Sequence, residues 1–184
     1  MKILIHGINY YPELTGIGKF TGEMAEWLTN RGHKVRVVTA PPYYPEWQIG
    51  KGYSAFRYRK EHLNGVEVFR CPLWIPKNVT GINRIIHLLS FALSSFWVLL
   101  YQATWRPQVV LSIAPAFLST PVSLMGSLLS GAKPWLHIQD FELDAAFNLG
   151  ILRASRLKKI VENTESWILK RFDRICQFLL FYCI

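Results

Sequence analysis

The chain has 184 residues, of which 51% are hydrophobic, so it is long enough for one domain with a substantial core and is not a disordered tail. Lysine and arginine number 21 against 12 aspartate and glutamate residues. This net charge of +9 favours an anionic partner such as a phosphorylated ligand, an acidic membrane surface or a nucleic acid. Three cysteines without CxxC spacing argue against a disulfide scaffold and a zinc site. The N-terminal apolar run is too short for a secretory signal, so we expect a reducing compartment and no export.

The first forty residues alternate between strand and helix patterns. Lys2–His6 and Lys34–Thr39 are short apolar or β-branched runs typical of strands. Lys19–Arg31 carries its large apolar residues at helical spacing. The order strand, helix, strand predicts a right-handed βαβ unit, and with it a parallel sheet.

A loop rich in proline and aromatic residues follows this unit. Residues 40–52 (APPYYPEWQIGKG) contain three prolines and three large aromatics, which is typical of a functional surface loop rather than an indifferent linker. Asn64-Gly65 is a strong turn signal between Phe56–Lys60 and Val66–Arg70, and it predicts a basic antiparallel hairpin. The aromatic residues suit stacking on sugar rings as well as on bases. No RNA-binding signature occurs, so we expect no nucleic acid partner.

The most ambiguous segment lies between Arg84 and Arg106, where 21 residues contain no charged side chain. We interpret Ile85–Trp105 as a helix that is buried in, or docked on, an α/β domain, because serine and histidine dilute its apolar run. A helix lying in the bilayer interface is one alternative. A membrane span is the other.

Further strands are predicted at Gln108–Ser112 and Pro134–Ile138, and a further helix at Arg153–Phe172. The prolines between Arg106 and Lys133 favour a strand, a loop and a helix over a second span. Strand and helix keep alternating along the chain. This pattern predicts an α/β fold with an open, mainly parallel sheet and helices on both faces.

Residues Gly16, Ile17, Gly18 and Lys19 form the first candidate for substrate or phosphate binding. We predict that they precede the first helix, where glycine lets a backbone approach a ligand and free N–H groups bind an anion. A tight turn into the helix is equally consistent with this spacing. The long preceding loop and the lack of an acid after the second strand argue against a dinucleotide site.

The second candidate group follows the strand at Pro134–Ile138. Asp140 lies at the predicted carboxyl edge of the sheet, where open α/β folds bind ligands, so we predict that it is catalytic. A helix N-cap is the alternative for this residue. His137, Gln139 and the loop residue Tyr44 complete the candidate binding residues, although a histidine inside a strand is more often a satisfied core residue. No GxSxG motif or reactive cysteine context occurs, so we expect no nucleophilic hydrolase.

Three segments in this order resemble the N-terminal half of family-4-type retaining glycosyltransferases: YYPELTGIGKFT with PPYYP, then WRPQVVLSIAPAFLSTP, then LHIQDFELDAAFNLGIL. The resemblance extends over residues 1–175 and is closest to the colanic acid and O-antigen branch. It implies a Rossmann-like domain of a two-domain GT-B enzyme. Such an enzyme transfers a sugar from a nucleotide sugar to a lipid-linked, undecaprenyl diphosphate saccharide at the cytoplasmic face of the membrane. The resemblance implies no metal or other cofactor.

By that resemblance, the Gly16–Gly18 loop would line the cleft between the two domains, and Asp140 would face the reacting sugar. Gln139 stands where many family members have the histidine of a His-Asp pair, so no imidazole role is implied there. The positive charge and the Ile85–Trp105 helix would favour docking on an anionic bilayer.

The end of the chain departs from the family pattern. No two glutamates stand eight positions apart, so the Glu-x7-Glu motif of the donor-binding domain is absent. We expect a Rossmann-like domain at 1–175, an atypical apolar tail at 176–184 and no donor-binding domain. Transfer by the chain alone is then not expected, because transition-state stabilisation needs both walls of the cleft. A noncatalytic membrane-associated binding protein for lipid-linked sugar and a nonfunctional fragment are the alternatives.

Overall fold

The computed structural model describes residues 1–114, 117–139, 163–164 and 166–177. The strands are Lys2–His6 (β1), Lys34–Thr39 (β2), Arg59–Leu63 (β3), Val66–Arg70 (β4), Val109–Ala114 (β5), Lys133–Ile138 (β6) and Arg174–Gln177 (β7). The helices are Gly16–Asn30 (α1), Gly81–Ala103 (α2) and Thr120–Ser130 (α3), with a 3₁₀ turn at Phe117–Ser119. Residues 163–164 and 166–169 are also helical.

These strands form one sheet in the order β3-β4-β2-β1-β5-β6-β7. β3 pairs with β4 in antiparallel fashion, and the other neighbouring strands pair in parallel. The chain passes from β1 to β2 on one side and later returns to β5 on the other, so the strand order reverses beside β1. Such a switch point leaves a crevice at the carboxyl ends of the strands, where open α/β sheets bind ligands. The predicted α/β, Rossmann-like, mainly parallel architecture is confirmed.

Successive residues of a strand point to opposite faces of the sheet, so β1 contributes to two core clusters. A different helix covers each of these faces. Ile3 and Ile5 lie in a core cluster with Ala25 of α1. Leu4 lies in a second cluster with Phe91 of α2. All residues of β5 are buried, as expected for a central strand between two helical layers.

His6 joins β1 to both helices on the second face. Its Nδ1 lies 2.6 Å from Oγ of Ser123 in α3, and its Nε2 lies 3.0 Å from Oγ of Ser95 in α2. The imidazole also stacks on Phe91 of α2. Burial lowers the pKa of His6 to about 3, so this connector is uncharged. Ser95, one of the serines that interrupt the apolar run of α2, is therefore buried and connects this helix to the sheet.

Helix α1 begins earlier than predicted. It starts at Gly16 and not at Lys19, so Gly16, Ile17 and Gly18 belong to the first helical turn and do not precede it. Thr15 is the N-cap residue. The prediction was wrong because glycine is normally unfavourable inside a helix, whereas here tertiary packing requires it.

The first hairpin strand is Arg59–Leu63 and not the predicted Phe56–Lys60. The turn at Asn64-Gly65 is confirmed, with φ angles of 50° and 79°. A two-residue turn with both φ angles positive pairs the residues on either side of it, so Leu63 lies opposite Val66. The strand therefore continues up to the turn.

Three later boundaries also shift. Helix α2 covers Gly81–Ala103 instead of Ile85–Trp105. Strand β5 continues to Ala114, because Ile113 and Ala114 still pair with β6. Strand β7, Arg174–Gln177, extends two residues into the segment predicted as an apolar tail, where Cys176 and Gln177 pair with β6. The helix predicted at 153–172 overlaps the described residues only in part, and 178–184 lie outside them.

Candidate functional site

The candidate site lies at the carboxyl ends of β1 and β2, beside the beginnings of α1 and α2. It contains a cavity of about 150 Å³, which we call the aromatic cavity. Cavities that enclose drug-sized ligands measure roughly 300–1,000 Å³, so this one suits a single ring-sized group. Backbone, aromatic and cationic groups line it: Ile8, Asn9, Gly16, Ile17, Tyr43, Tyr44, Trp47, Arg84, His87 and Leu88.

Three aromatic rings pack together at this cavity. The ring centroids of Tyr43 and His87 are 4.9 Å apart, and those of Trp47 and His87 are 5.2 Å apart. Tyr43 and Trp47 also contact each other edge to face, at 5.6 Å. The two loop residues thereby anchor the proline-rich loop on α2. Aromatic rings supply a large, rigid contact area with defined geometry, which suits the apolar face of a sugar ring.

His87 adds a polar group to the cavity lining. Its Nδ1 lies 2.7 Å from the backbone carbonyl oxygen of Trp74. A carbonyl oxygen only accepts, so Nδ1 carries the hydrogen and Nε2 is an acceptor. Nε2 is buried and has no hydrogen-bond partner among the described residues. Burial lowers the pKa of His87, so the neutral ring can accept a hydrogen bond from a ligand hydroxyl.

Glu13 fixes the loop after β1 to the loop after β2. Its Oε1 accepts hydrogen bonds from the backbone N–H groups of Tyr43 and Tyr44, at 3.0 and 3.1 Å. Its Oε2 accepts one from the side-chain amide of Asn9, at 2.9 Å. The side chain is buried, and this desolvation raises the pKa of Glu13 despite those hydrogen bonds. Glu13 therefore positions both loops that line the aromatic cavity.

Arg70 completes the same junction from the end of β4. Its Nε donates to Glu61 at 2.7 Å, and its two terminal nitrogens donate to the backbone carbonyls of Ala40 and Tyr11. The side chain is 1% exposed. A planar guanidinium with several donors suits this role, since it joins three separate segments at once. Neither role is predictable from the sequence, where Glu13 belongs to no recognisable site pattern and Arg70 is one of several cations of the predicted basic hairpin.

The structure brings three predicted binding residues together at the cavity: Gly16, Ile17 and Tyr44. Gly16 has φ of +55°, a left-handed conformation that glycine adopts without strain. Thr15 makes no side-chain cap hydrogen bond. The first-turn N–H groups of α1 are thus not capped by this residue, and they can donate to an anionic group.

Gly18 and Lys19 lie differently from the other members of their motif. A Cβ at Gly18 would come within 2.6 Å of Cβ of Glu13, so this glycine makes room for the buried carboxylate. The ammonium of Lys19 lies 3.9 Å from Glu23 on a half-exposed face of α1. Lys19 contributes to a separate cavity of about 350 Å³ between α1, the loop after β1 and the hairpin turn.

His137 and Gln139 lie at the end of β6. Burial lowers the pKa of the partly buried His137. The backbone N–H of Gln139 donates to Ala114 at the end of β5, and its side-chain amide donates to Thr21 Oγ1 of α1 at 3.3 Å. Gln139 therefore reaches from β6 to α1 across the switch point. Asp140, the predicted catalytic residue, lies outside the described residues.

Substituting Gly18 with alanine is expected to reduce the free energy of unfolding by about 1–3 kcal/mol, because the new Cβ overpacks against Glu13. Gly126→Ala is the matched control in α3, where a Cβ would meet Leu99 at an ordinary 3.7 Å. That control should be neutral or stabilising by about 0.5–1 kcal/mol, since alanine favours a helix over glycine. Urea unfolding followed by circular dichroism measures both. Equal effects would contradict the packing role of Gly18.

The chain is similar in sequence to known proteins. A family model, the glycosyl transferase 4-like domain, matches residues 15–177. The chain is also 50% identical over 162 residues to WcaI of Escherichia coli strain K12, described as a colanic acid biosynthesis glycosyl transferase. This match covers 88% of the chain and 40% of WcaI, so the chain spans less than half the length of that relative.

Proposed function

Because this chain belongs to the family of glycosyl transferase 4-like domains, we propose that it forms the acceptor-binding part of an exopolysaccharide-synthesising enzyme. The complete enzyme moves a sugar from a nucleotide sugar onto a lipid-linked, undecaprenyl diphosphate saccharide. The single observation that carries this proposal is the 50% identity to WcaI over 162 residues. The aromatic cavity at the carboxyl edge of the sheet supports it, since this is the edge where such folds bind ligands.

The roles within the site follow from its chemistry. The rings of Tyr43 and Trp47 contact the apolar face of the acceptor sugar, and His87 Nε2 accepts a hydrogen bond from one of its hydroxyl groups. The first turn of α1 donates N–H groups to a phosphate. Asp140, the residue after Gln139 in the chain, is assigned to the reacting sugar as the catalytic residue. The reaction in this proposal uses no resident metal or other cofactor.

The nucleotide sugar is assigned to a second wall of the cleft. The aromatic cavity of about 150 Å³ suits one ring-sized group, which is far less than a whole nucleotide sugar. In an enzyme of WcaI length, residues beyond the matched 40% supply that wall. Transfer is therefore proposed for the two parts together, because both substrates must be held in reacting geometry.

We further propose a peripheral location at the cytoplasmic face of the cell membrane. A lipid-linked acceptor resides in the membrane, and the net charge of +9 favours an anionic surface. Helix α2, at Gly81–Ala103, is long and apolar enough to cross a membrane by length and composition. One third of its most apolar stretch is buried within the protein, which suits a helix lying along a surface.

A chimera tests the proposed function. The matching segment of WcaI is replaced by this chain, and the chimera is produced in an Escherichia coli strain that lacks WcaI. We expect colanic acid synthesis to return, and the purified chimera to extend a lipid-linked saccharide. A folded chimera that binds the lipid-linked saccharide without turnover would instead indicate a noncatalytic binding protein. The empty strain and authentic WcaI are the two reference points.

A further inference from the structure

The outward face of α2 is apolar along the whole helix. Exposed side chains recur at helical spacing and include Ile82, Ile86, Leu89, Leu93, Trp97 and Tyr101, which we call the α2 stripe. Leu93 is 71% exposed and Trp97 66% exposed. An ordinary surface helix presents polar residues on this side. A continuous apolar surface of this kind marks a binding surface.

A further cavity, of about 490 Å³, lies between the proline-rich loop and the hairpin and has basic walls. We call it the basic pocket; its walls include Tyr53, Arg57, Tyr58, Arg59 and Arg70. Arg57 is exposed and has no ion-pair partner among the described residues. Arg59 and Arg70 share one carboxylate, that of Glu61. Arg70 is buried and its donors are used within the protein, so the exposed Arg57 and the half-exposed Arg59 give the pocket its positive surface, which favours an anion.

The α2 stripe and the basic pocket adjoin each other. Tyr58, a wall residue of the pocket, donates a hydrogen bond through its hydroxyl to the backbone carbonyl of Ser94 in α2, at 3.1 Å. Ser94 is the neighbour of Leu93 in the α2 stripe. Phe56, on the loop that forms the pocket, is 84% exposed and adds another apolar side chain to this surface.

We infer that the α2 stripe and the basic pocket together bind an anionic phospholipid, with the lipid phosphate in the pocket and the acyl region against the stripe. This inference rests on the proposed membrane location and names the surface responsible for it. A phospholipid supplies the apolar and the anionic part in one molecule. A planar guanidinium pair suits a phosphate because it can donate two parallel hydrogen bonds.

The fold and the charge favour a bilayer surface over the other occupants of such a stripe. The opposite face of α2 is buried and contains His87, Ser95 and Gln102. Since His6 of the sheet bonds to Ser95, α2 cannot leave the domain to cross a membrane without breaking the core. A second copy of the chain would bring two positively charged pockets together, which is unfavourable.

Co-sedimentation of the chain with lipid vesicles tests this inference. We expect binding to vesicles of phosphatidylcholine with phosphatidylglycerol, and much weaker binding to phosphatidylcholine alone. The double variant Arg57→Gln/Arg59→Gln should bind the anionic vesicles about tenfold more weakly. Lys34→Gln/Lys133→Gln is the matched control, because it removes the same charge at the amino ends of β2 and β6. It should change binding less than about twofold, since those lysines belong neither to the basic pocket nor to the α2 stripe.

Two further variants separate the parts of the surface. Leu93→Ser/Trp97→Ser should weaken vesicle binding about tenfold while the circular dichroism spectrum stays unchanged. Arg57→Lys/Arg59→Lys keeps the charge and loses the planar donors, so it should also bind more weakly than the original chain. Unchanged binding by this lysine variant would overturn the phosphate pocket. Equal losses in the glutamine variant and the Lys34/Lys133 control would overturn it as well.

The remaining outcomes are also decisive. Tight binding of inorganic phosphate by the chain in free solution, together with no binding to the anionic vesicles, would assign the pocket to a free anion and overturn the lipid. A dimer in gel filtration that dissociates in Leu93→Ser/Trp97→Ser would assign the stripe to a second copy. The vesicles contain no saccharide, so failure here leaves the chimera result intact, and failure of the chimera leaves vesicle binding intact.

Discussion

Replacing Asp140 with asparagine in the WcaI chimera is expected to reduce sugar transfer at least about a hundredfold while the domain stays folded. Asparagine keeps the size of the side chain and removes its charge and its capacity to accept a proton. Asp140 directly follows Gln139, whose side-chain amide donates from the end of β6 to Thr21 of α1. Open α/β sheets bind ligands at this carboxyl edge, and this is the reason for proposing a catalytic role for the carboxylate of Asp140.

Steady-state kinetics of the purified chimera measure this effect. The loss should appear in kcat, because the missing interaction operates at the reacting group and not in ground-state binding. Glu142→Gln, two residues further on, is the matched control and should retain most of the activity. Activity of the Asp140→Asn chimera above about a tenth of the original would indicate a helix N-cap instead, and the free energy of unfolding would then fall by about 0.5–2 kcal/mol.

Replacing Arg70 with methionine should reduce the free energy of unfolding by about 3–5 kcal/mol. The side chain is 1% exposed, and its loss leaves the carbonyls of Tyr11 and Ala40 without this donor. It also removes the nearer cation from the carboxylate of Glu61, itself 10% exposed. A loss of this size is a large part of the roughly 5–15 kcal/mol that stabilises a typical domain.

Arg59→Met is the matched control for Arg70→Met. Both arginines pair with Glu61, at 3.3 and 2.7 Å, but Arg59 is 50% exposed. The control should therefore cost less than about 1 kcal/mol, as solvent-exposed ion pairs do. Urea unfolding followed by circular dichroism and tryptophan fluorescence compares the two. Similar losses for both variants would show that the buried junction of the two loops is not what stabilises this edge of the sheet.

Local patterns were sufficient for much of the fold. Strands β1, β2 and β4 have the predicted boundaries, because their apolar runs lie between clear turn and loop signals. Asn64-Gly65 determined the hairpin turn, since few other residue pairs adopt positive φ at two successive positions. The alternation of strand and helix was enough to predict the parallel sheet, because parallel strands need a crossover between them.

Folding brings only some of the predicted binding residues together at one place. Gly16, Ile17 and Tyr44 meet at the aromatic cavity, whereas Lys19 pairs with Glu23 on the outer side of α1. Gly18 faces the buried Glu13. A glycine-rich segment indicates close approach of a backbone, but the sequence does not say whether a ligand or another side chain approaches. Only the packing around α1 decides this.

The sequence by itself determined the alternating elements, the positive charge and the family resemblance, because these depend on composition and short-range order. The tertiary structure decided what each ambiguous segment contacts. Helix α2 buries His87 and Ser95 and exposes Leu93 and Trp97, an arrangement that its composition alone does not reveal. Glu13 and Arg70 are ordinary charged residues in the sequence. Folding brings them to the two loops of the site, since hydrogen bonds between distant segments form only when the sheet is complete.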